Sequence, residues 1–173
     1  YDDTFAVSGG ANGDQENFFY IFDSDGEGIN RFRQPCEGYW GLRDLAYREG
    51  RLYGGCRDQI LVMAHNGRVL ESIDSPLVPV QGLAVEPNGE LWVANDGDPI
   101  HHLDSEGNII RLYPHRLRPY GLAWHPAEID GYPLYIFSAD GETNMAISKM
   151  DPETGDILPV TILEMEPGDR AGG

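Results

Sequence analysis

The chain has 173 residues, enough for one domain with its own apolar core, and it carries 12 basic against 29 acidic residues, a formal net charge of −17. This charge argues against partners such as nucleic acid or an anionic membrane surface, and no apolar run is long enough to insert into a membrane. The 22 glycines and 12 prolines are spread along the chain, and apolar residues show no sustained helical spacing. We therefore expect an all-β protein.

The first predicted unit, over 1–34, is incomplete and has strands at 4–9, 18–22 and 29–33. The segment between its last two strands, Asp23-Ser24-Asp25-Gly26-Glu27-Gly28, has oxygen ligands at alternate positions, like the start of an EF-hand calcium loop. Its twelfth position, however, is Gln34 instead of a bidentate Glu. We expect a hairpin turn and no cofactor, with calcium as the weaker alternative.

Three fuller units follow, each with four apolar runs of strand length separated by turn residues. The predicted strands are 42–48, 51–55, 60–64 and 69–73 in the unit 35–75; 82–85, 91–94, 100–103 and 109–113 in the unit 76–115; and 121–125, 133–138, 146–150 and 157–163 in the unit 116–165. Residues 166–173 would begin another unit.

Two independent markers repeat about every 40 residues. Gly-Leu pairs occur at Gly41-Leu42, Gly82-Leu83 and Gly121-Leu122. A turn recurs at Asp25-Gly26, Asn66-Gly67, Glu106-Gly107 and Thr154-Gly155. This period with four short strands per unit predicts a β-propeller of four-stranded antiparallel blades. We expect either a segment of a longer propeller or a four-bladed ring whose termini meet within one blade.

The repeat GLAVEPNGELWVAND followed by IHHLDSEGNIIRLY resembles the blade of NHL-type and related TolB-like six-bladed propellers. The combination of YWGLRDLAYREGRLYGGC, RPYGLAWHP and the terminal DRAGG is closer to propeller modules of large secreted bacterial proteins. The resemblance covers nearly the whole chain. It implies two further blades, further domains in the parent chain, and an extracellular or cell-surface location.

The entrance to the first strand and the exit of the second strand of each blade should lie on the same face of the propeller, because the strands of a blade run antiparallel. The resemblance makes this the usual ligand-binding face. The alternative is that these residues only form turns or pack between blades. The predicted binding residues are Tyr39, Trp40, Arg43, Arg57, Asp58, Gln81, Asn95, Asp96, Asp98, Tyr120, Asp140 and Glu142, with Arg118 beside them.

Cys36 and Cys56 should lie on this same face, and they form either a disulfide or two unrelated buried thiols. Glu37, Asn95 and Asp140 are weak candidates for metal ligands on loop position alone. The neighbouring His101 and His102 would point to opposite sides of a strand, so they cannot chelate one metal ion together.

The chain contains no His-Glu-x-x-His motif, Gly-x-Ser-x-Gly elbow or phosphate-binding loop. We therefore expect a non-catalytic extracellular module that binds a protein, a glycan or a small ligand. One alternative is a metal-dependent lactonase of the gluconolactonase type. The other is a structural subunit that assembles with copies of itself through open blade edges.

Overall fold

The computed structural model of the protein describes residues 4–9, 16–38, 40–140 and 144–164. Every regular element in these ranges is a β-strand. Within them there is no helix of the length and apolarity that crossing a membrane requires. The strands form four antiparallel sheets in which neighbours in space follow one another in the chain.

The first sheet has three strands, and each of the other three has four. The strands are β1 (Thr4–Gly9), β2 (Phe18–Asp23) and β3 (Gly28–Arg33) in the first sheet; β4 (Leu45–Arg48), β5 (Arg51–Cys56), β6 (Gln59–Ala64) and β7 (Val69–Asp74) in the second; β8 (Gly82–Val85), β9 (Leu91–Ala94), β10 (Ile100–Leu103) and β11 (Ile109–Tyr113) in the third; and β12 (Arg118–Trp124), β13 (Leu134–Asp140), β14 (Asn144–Met150) and β15 (Ile157–Leu163) in the fourth. Each sheet lies within one of the four predicted units.

The sheets are arranged as the blades of a β-propeller, so the predicted fold class is confirmed. The innermost strand of the third blade, β8, contacts both β4 and β12, the innermost strands of the second and fourth blades. These contacts bring the starts of three blades to one place near the propeller axis.

Strand β9 shows how the alternation of side chains builds the core between blades. Leu91 and Val93 face the second blade, while Trp92 and Ala94 face the fourth blade, because successive strand residues point to opposite sides. All four are fully buried. Three buried clusters join adjacent blades in this way. They include Phe19, Leu42 and Met63 between the first and second blades; Ile60, Leu83 and Leu91 between the second and third; and Trp92, Leu122 and Ile136 between the third and fourth.

The second blade begins later than the sequence predicts. Its innermost strand starts at Leu45 instead of residue 42, and the pair Leu45–Gly54 corresponds to Leu83–Val93 in the third blade. Asp44 therefore occupies the position that Gly82 holds in the third blade. The Gly41-Leu42 pair lies before the strand, where the Leu42 N–H donates to the Gln34 side chain at 2.7 Å. The predicted equivalence of Gly41 with Gly82 is wrong, because Leu42 belongs to the connection between blades.

Gln34 links the first blade to the second. Its buried side chain donates from Nε2 to the Phe18 carbonyl at 3.0 Å and accepts from Leu42 through Oε1. Gly41 has a left-handed φ of 58°, and a Cβ there would lie 2.2 Å from this same Oε1. The connection therefore needs glycine at this position for both backbone angle and space.

Candidate functional site

The first layer of the site is a carboxylate that joins three blades. Asp44 Oδ2 accepts hydrogen bonds from the N–H groups of Leu83 at 2.8 Å and Leu122 at 2.9 Å, which belong to the third and fourth blades. Its other oxygen accepts from Leu45 N–H at 2.9 Å. Burial raises the pKa of Asp44 to about 6, and the N–H groups of Leu122, Leu83 and Leu45 oppose this rise. Asp44 is thus a structural link at the propeller axis.

The close approach of the third and fourth blades beside Asp44 depends on the glycine at position 82. A Cβ placed on Gly82 would lie 2.9 Å from Cγ of Leu122 in the fourth blade, which is too close. A Cβ on Gly121 would lie 3.6 Å from Asp44 Oδ2, an ordinary van der Waals distance, so the tight fit is at Gly82. One blade therefore supplies the carboxylate, while the other two supply glycine and the following N–H group.

The second layer consists of the residues that precede Asp44, Gly82 and Gly121. These are Arg43, Gln81 and Tyr120, one from each of three blades. Tyr120 lies in a β-bulge of β12, where the register shifts between Pro119 and Gly121, and bulges commonly redirect side chains. We refer to Trp40, Arg43, Gln81 and Tyr120 as the mouth residues.

The Arg43 guanidinium packs over the Trp40 ring, with its carbon 5.1 Å from the ring centroid. Burial lowers the pKa of Arg43, while its electrostatic interaction with Tyr120 raises it. Trp40 remains 57% exposed. A cation and an aromatic surface therefore stand together in contact with solvent.

The β9–β10 loop extends this surface. Gln81 Oε1 accepts a hydrogen bond from Asp96 N–H at 2.8 Å, and Asp96 Oδ2 lies 3.3 Å from Arg118 Nε. Arg118 and Asp96 are both about half exposed at their side chains. The structure thus places Asp96 and Arg118 beside the mouth residues.

Other predicted binding residues mainly shape turns. Buried Asn95 accepts the N–H of Asp98 through Oδ1 at 3.2 Å. Arg57 has a left-handed φ of 54°, and the carbonyls of Arg57 and Asp58 accept the N–H groups of Val80 and Ser75. Asp140 is exposed at the end of β13. Tyr39 and Glu142 lie outside the residues that the structure describes.

Cys36 and Cys56 are bonded to each other, with a Cα–Cα distance of 5.7 Å. Cys56 ends β5 in the second blade, and Cys36 lies in the connection from the first blade. The bond therefore fastens the connecting segment to the second blade, next to the turn that carries Arg57.

The acidic segment after β2 is a hairpin turn. Asp23 Oδ1 accepts the N–H groups of Asp25 at 3.1 Å and Glu27 at 2.8 Å. Asp104 makes the same pair of bonds with Glu106 and Asn108 in the third blade. Because one Asp oxygen already caps the turn in both blades, the repeat explains the acidic residues as turn formers.

Glu37, Asn95 and Asp140 stay a prediction from the sequence as metal ligands. Within the described part of the chain, Glu37 and Asp140 belong to no group of three His, Cys, Asp or Glu ligand atoms lying within 4.8 Å of one another. Such a group occurs elsewhere, at Glu86, Glu90 and His102. Sequence reasoning missed this group because His102 and the β8–β9 turn come together only through the pairing of β9 with β10. The spacing of Glu86 and Glu90 across a predicted hairpin turn was the available signal.

Comparison with known proteins identifies the fold of the chain. No protein-family model matches, and no curated protein sequence matches. The WD40 domain of Neurospora crassa Pan2 is similar in structure, with a TM-score of 0.56 and 16% identity, over 92% of this chain and 49% of that one. The chain is a β-propeller.

A protein of unknown function from Bacteroides caccae is similar too, with a TM-score of 0.53 and 13% identity, over 95% of this chain and 59% of that one. The chain thus spans about half the length of these two structures. Identities this low show the fold alone. The six-bladed, NHL-type resemblance and a bacterial origin stay predictions from the sequence.

Proposed function

We propose that this propeller is a non-catalytic binding module, and that its mouth residues bind an acidic glycan. The observation that carries the proposal is the convergence of Arg43, Gln81 and Tyr120 from three blades, with solvent-exposed Trp40 beside them. Binding sites combine apolar or aromatic surface with a few fixed polar groups, and this set supplies both.

The charge of the mouth supports an acidic ligand. The chain as a whole carries −17, and on this face Asp96 pairs with Arg118, whereas Arg43 packs over the exposed Trp40 ring. Arg43 is therefore the cation that the proposal assigns to an acidic ligand. An arginine guanidinium donates paired hydrogen bonds that fit a carboxylate. The exposed indole and the phenol offer flat surfaces against which a sugar ring can pack. An acidic peptide is the alternative that the test below distinguishes.

The disulfide supports an extracellular or cell-surface location as part of this proposal. Disulfides form and persist in oxidising compartments and are rare in the cytosol. Cys36 and Cys56 are the two cysteines of the chain, and they are bonded to each other. The strongly acidic composition favours solubility in such surroundings.

Arrays of sialylated and uronic-acid oligosaccharides, and of peptides rich in Asp and Glu, test the proposal. We expect the wild-type chain to bind acidic oligosaccharides, and the double variant Trp40→Ala with Arg43→Gln to lose at least about 10-fold in affinity, since one charged contact and one aromatic contact are removed.

Ile129→Ala is the matched control, because Ile129 is 97% exposed in the loop between β12 and β13, at the opposite end of the blade. Its binding should equal that of the wild type. Wild-type binding to acidic peptides alone would replace the glycan with a peptide ligand. Equal binding by the double variant would remove the mouth residues from the site.

Assembly through the first blade is a second candidate function, favoured by a specific observation. Strand β1 is an edge strand of the first sheet, where Phe5 is 48% and Val7 46% exposed. A cavity of about 490 Å³ between the first two blades is lined by Phe5, Ile29 and Tyr47 among other apolar residues. Exposed edges and apolar surface of this kind promote pairing with another chain.

Sedimentation velocity and light scattering test assembly. We expect a concentration-dependent oligomer that Phe5→Ser shifts toward the monomer, while Ile129→Ser leaves it unchanged. A wild-type monomer at high concentration would rule assembly out. The metal-dependent lactonase alternative stays a prediction from the sequence, with Glu37, Asn95 and Asp140 as its candidate ligands.

A further inference from the structure

Glu86, Glu90 and His102 form a compact cluster at the end of the third blade that is opposite the mouth residues. Glu86 and Glu90 close the turn between β8 and β9, where Glu86 N–H donates to the Glu90 carbonyl at 2.9 Å. His102 lies in β10, directly across the ladder from Trp92 in β9. Strand pairing therefore brings the imidazole next to the two carboxylates.

The ligand atoms of the three side chains all lie within 4.8 Å of one another. His102 Nε2 lies 2.9 Å from Glu90 Oε2 and 3.4 Å from Glu86 Oε1. For comparison, ligand atoms at about 2.0–2.1 Å from a tetrahedral zinc ion lie roughly 3.3 Å from one another. We propose that Glu86, Glu90 and His102 bind a divalent metal ion of the zinc class, with solvent or a further ligand at the fourth position.

The orientation of the imidazole supports a metal ion over a simple ion pair. His102 Nε2 is a buried atom, and despite these short distances it makes no hydrogen bond within the described structure. A good hydrogen bond needs the acceptor oxygen close to the line of the ring N–H. Around a tetrahedral metal ion, the other ligands lie to the side of the line from nitrogen to metal. The two carboxylate oxygens lie 2.9 and 3.4 Å from Nε2 without completing a hydrogen bond to it, as ligands that share a metal ion would.

The neighbouring residues hold the cluster in place. The His102 ring stacks on the fully buried Trp92 ring, with centroids 4.1 Å apart and planes inclined by 6°. Trp92 Nε1 also donates to Glu86 Oε1 at 2.7 Å. From the second blade, Arg48 Nε donates to the Pro87 carbonyl at 3.0 Å and so fixes the turn. Groups that orient metal ligands in this way strengthen metal binding.

Charge balance also favours a bound metal ion at this cluster. Two carboxylates are held within 4.8 Å of each other beside an imidazole, and the side chains of Glu86 and His102 are only 14% and 13% exposed. Like charges in so confined a place repel one another unless a cation lies between them. A divalent ion with two carboxylates and a neutral imidazole gives a neutral site.

The ligand types select the class of metal. An imidazole nitrogen with two carboxylates suits zinc and neighbouring first-row ions, whereas calcium and magnesium prefer all-oxygen sites with more ligands. Glu90 is 35% exposed at its side chain, so the open side of the cluster faces solvent. This site lies at the opposite end of β8 from the mouth residues and does not rest on the proposed glycan binding.

Isothermal titration of the full chain with ZnCl₂, after dialysis against EDTA, tests the site. We expect one zinc ion per chain, with a change in tryptophan fluorescence because Trp92 contacts both His102 and Glu86. Glu90→Gln and His102→Gln should each weaken zinc binding at least about 10-fold. Glu90→Gln keeps the proposal testable if His102→Gln fails to fold, since Glu90 is the most exposed of the three.

Glu106→Gln is the matched control, because Glu106 is exposed in the second turn of the same blade, and its recorded hydrogen bond uses the backbone N–H. It should bind zinc like the wild type. The proposal is overturned if the wild type takes up no zinc, if Glu90→Gln binds it as tightly as the wild type, or if calcium binds there in preference to zinc.

Discussion

The third blade and the first blade come from the same repeat, yet they differ in how deeply they are buried. Every residue of β9, the second strand of the third blade, is buried, whereas β1, its counterpart in the first blade, has no buried residue. The third blade packs against the second and the fourth, while the buried cluster of the first blade within the described ranges is shared with the second blade alone. Position between neighbouring blades, more than the strand pattern, therefore sets how deeply a strand is buried.

The largest expected effect comes from a cavity in the third blade. Leu91→Ala removes a fully buried side chain from the cluster between the second and third blades, and should lower the free energy of unfolding by about 4 kcal/mol. Ile29→Ala in the first blade, where Ile29 is 56% exposed, should change it by less than about 0.5 kcal/mol. Urea unfolding of both variants measures the two changes in the free energy of unfolding. Equal losses would show that the two blades are buried alike in solution.

The disulfide should matter most to the first blade and its connection. Replacing Cys36 and Cys56 together by Ser opens a link across a sequence separation of 20, which should cost about 3 kcal/mol. Hydrogen exchange should then accelerate in β2 of the first blade, whereas amides of β10 in the third blade keep their protection. Faster exchange in both strands would mean that the two blades unfold as one unit.

Asp44 should make the packed blades sensitive to pH. Because burial raises its folded pKa from 3.8 to about 6, protonation favours the folded state, and this stabilisation is lost as the pH rises from about 4 through 6. Asp44→Asn removes the titration but keeps an oxygen for Leu83 and Leu122. The unfolding free energy of the variant minus that of the wild type should therefore increase by about 2 kcal/mol between pH 4 and 7. A constant difference would place the carboxyl at its ordinary pKa.

The smallest expected effect is on the open edge of the first blade. Val7→Thr replaces a side chain that is 46% exposed, so in protein dilute enough to be monomeric the free energy of unfolding, measured by thermal denaturation, should change by less than about 0.5 kcal/mol. A loss above about 1 kcal/mol that depends on protein concentration would show that a second copy covers β1 in solution.

The strands could be predicted from the sequence because their causes are local. In the third blade the predicted strands 82–85, 91–94, 100–103 and 109–113 coincide with β8 to β11. Alternating or continuous apolar runs favour extended chain, and the Asp, Asn and Gly residues between them favour tight turns. The repeat of about 40 residues then indicated blades, since each unit must bury its faces against the next.

The register of the second blade could not be predicted in the same way. Gly41-Leu42 looks like Gly82-Leu83 when the residues are compared in sequence. Only the folded chain shows that Leu42 bonds to Gln34, and that Asp44 takes the axial position. Hydrogen bonds between blades decided this, and such partners are distant in the sequence.

For the candidate sites too, some features could be predicted from the sequence and others were decided by the tertiary structure. The sequence alone determined which residues enter one face, including Trp40, Arg43 and Tyr120, because chain direction within a blade assigns each loop to an end. The tertiary structure alone decided which side chains meet. Pairing of β9 with β10 placed His102 beside the β8–β9 turn, and packing of three blades brought Asp44 to the N–H groups of its neighbours. These contacts depend on strand register and blade packing, which arise only when distant strands bury their apolar faces together.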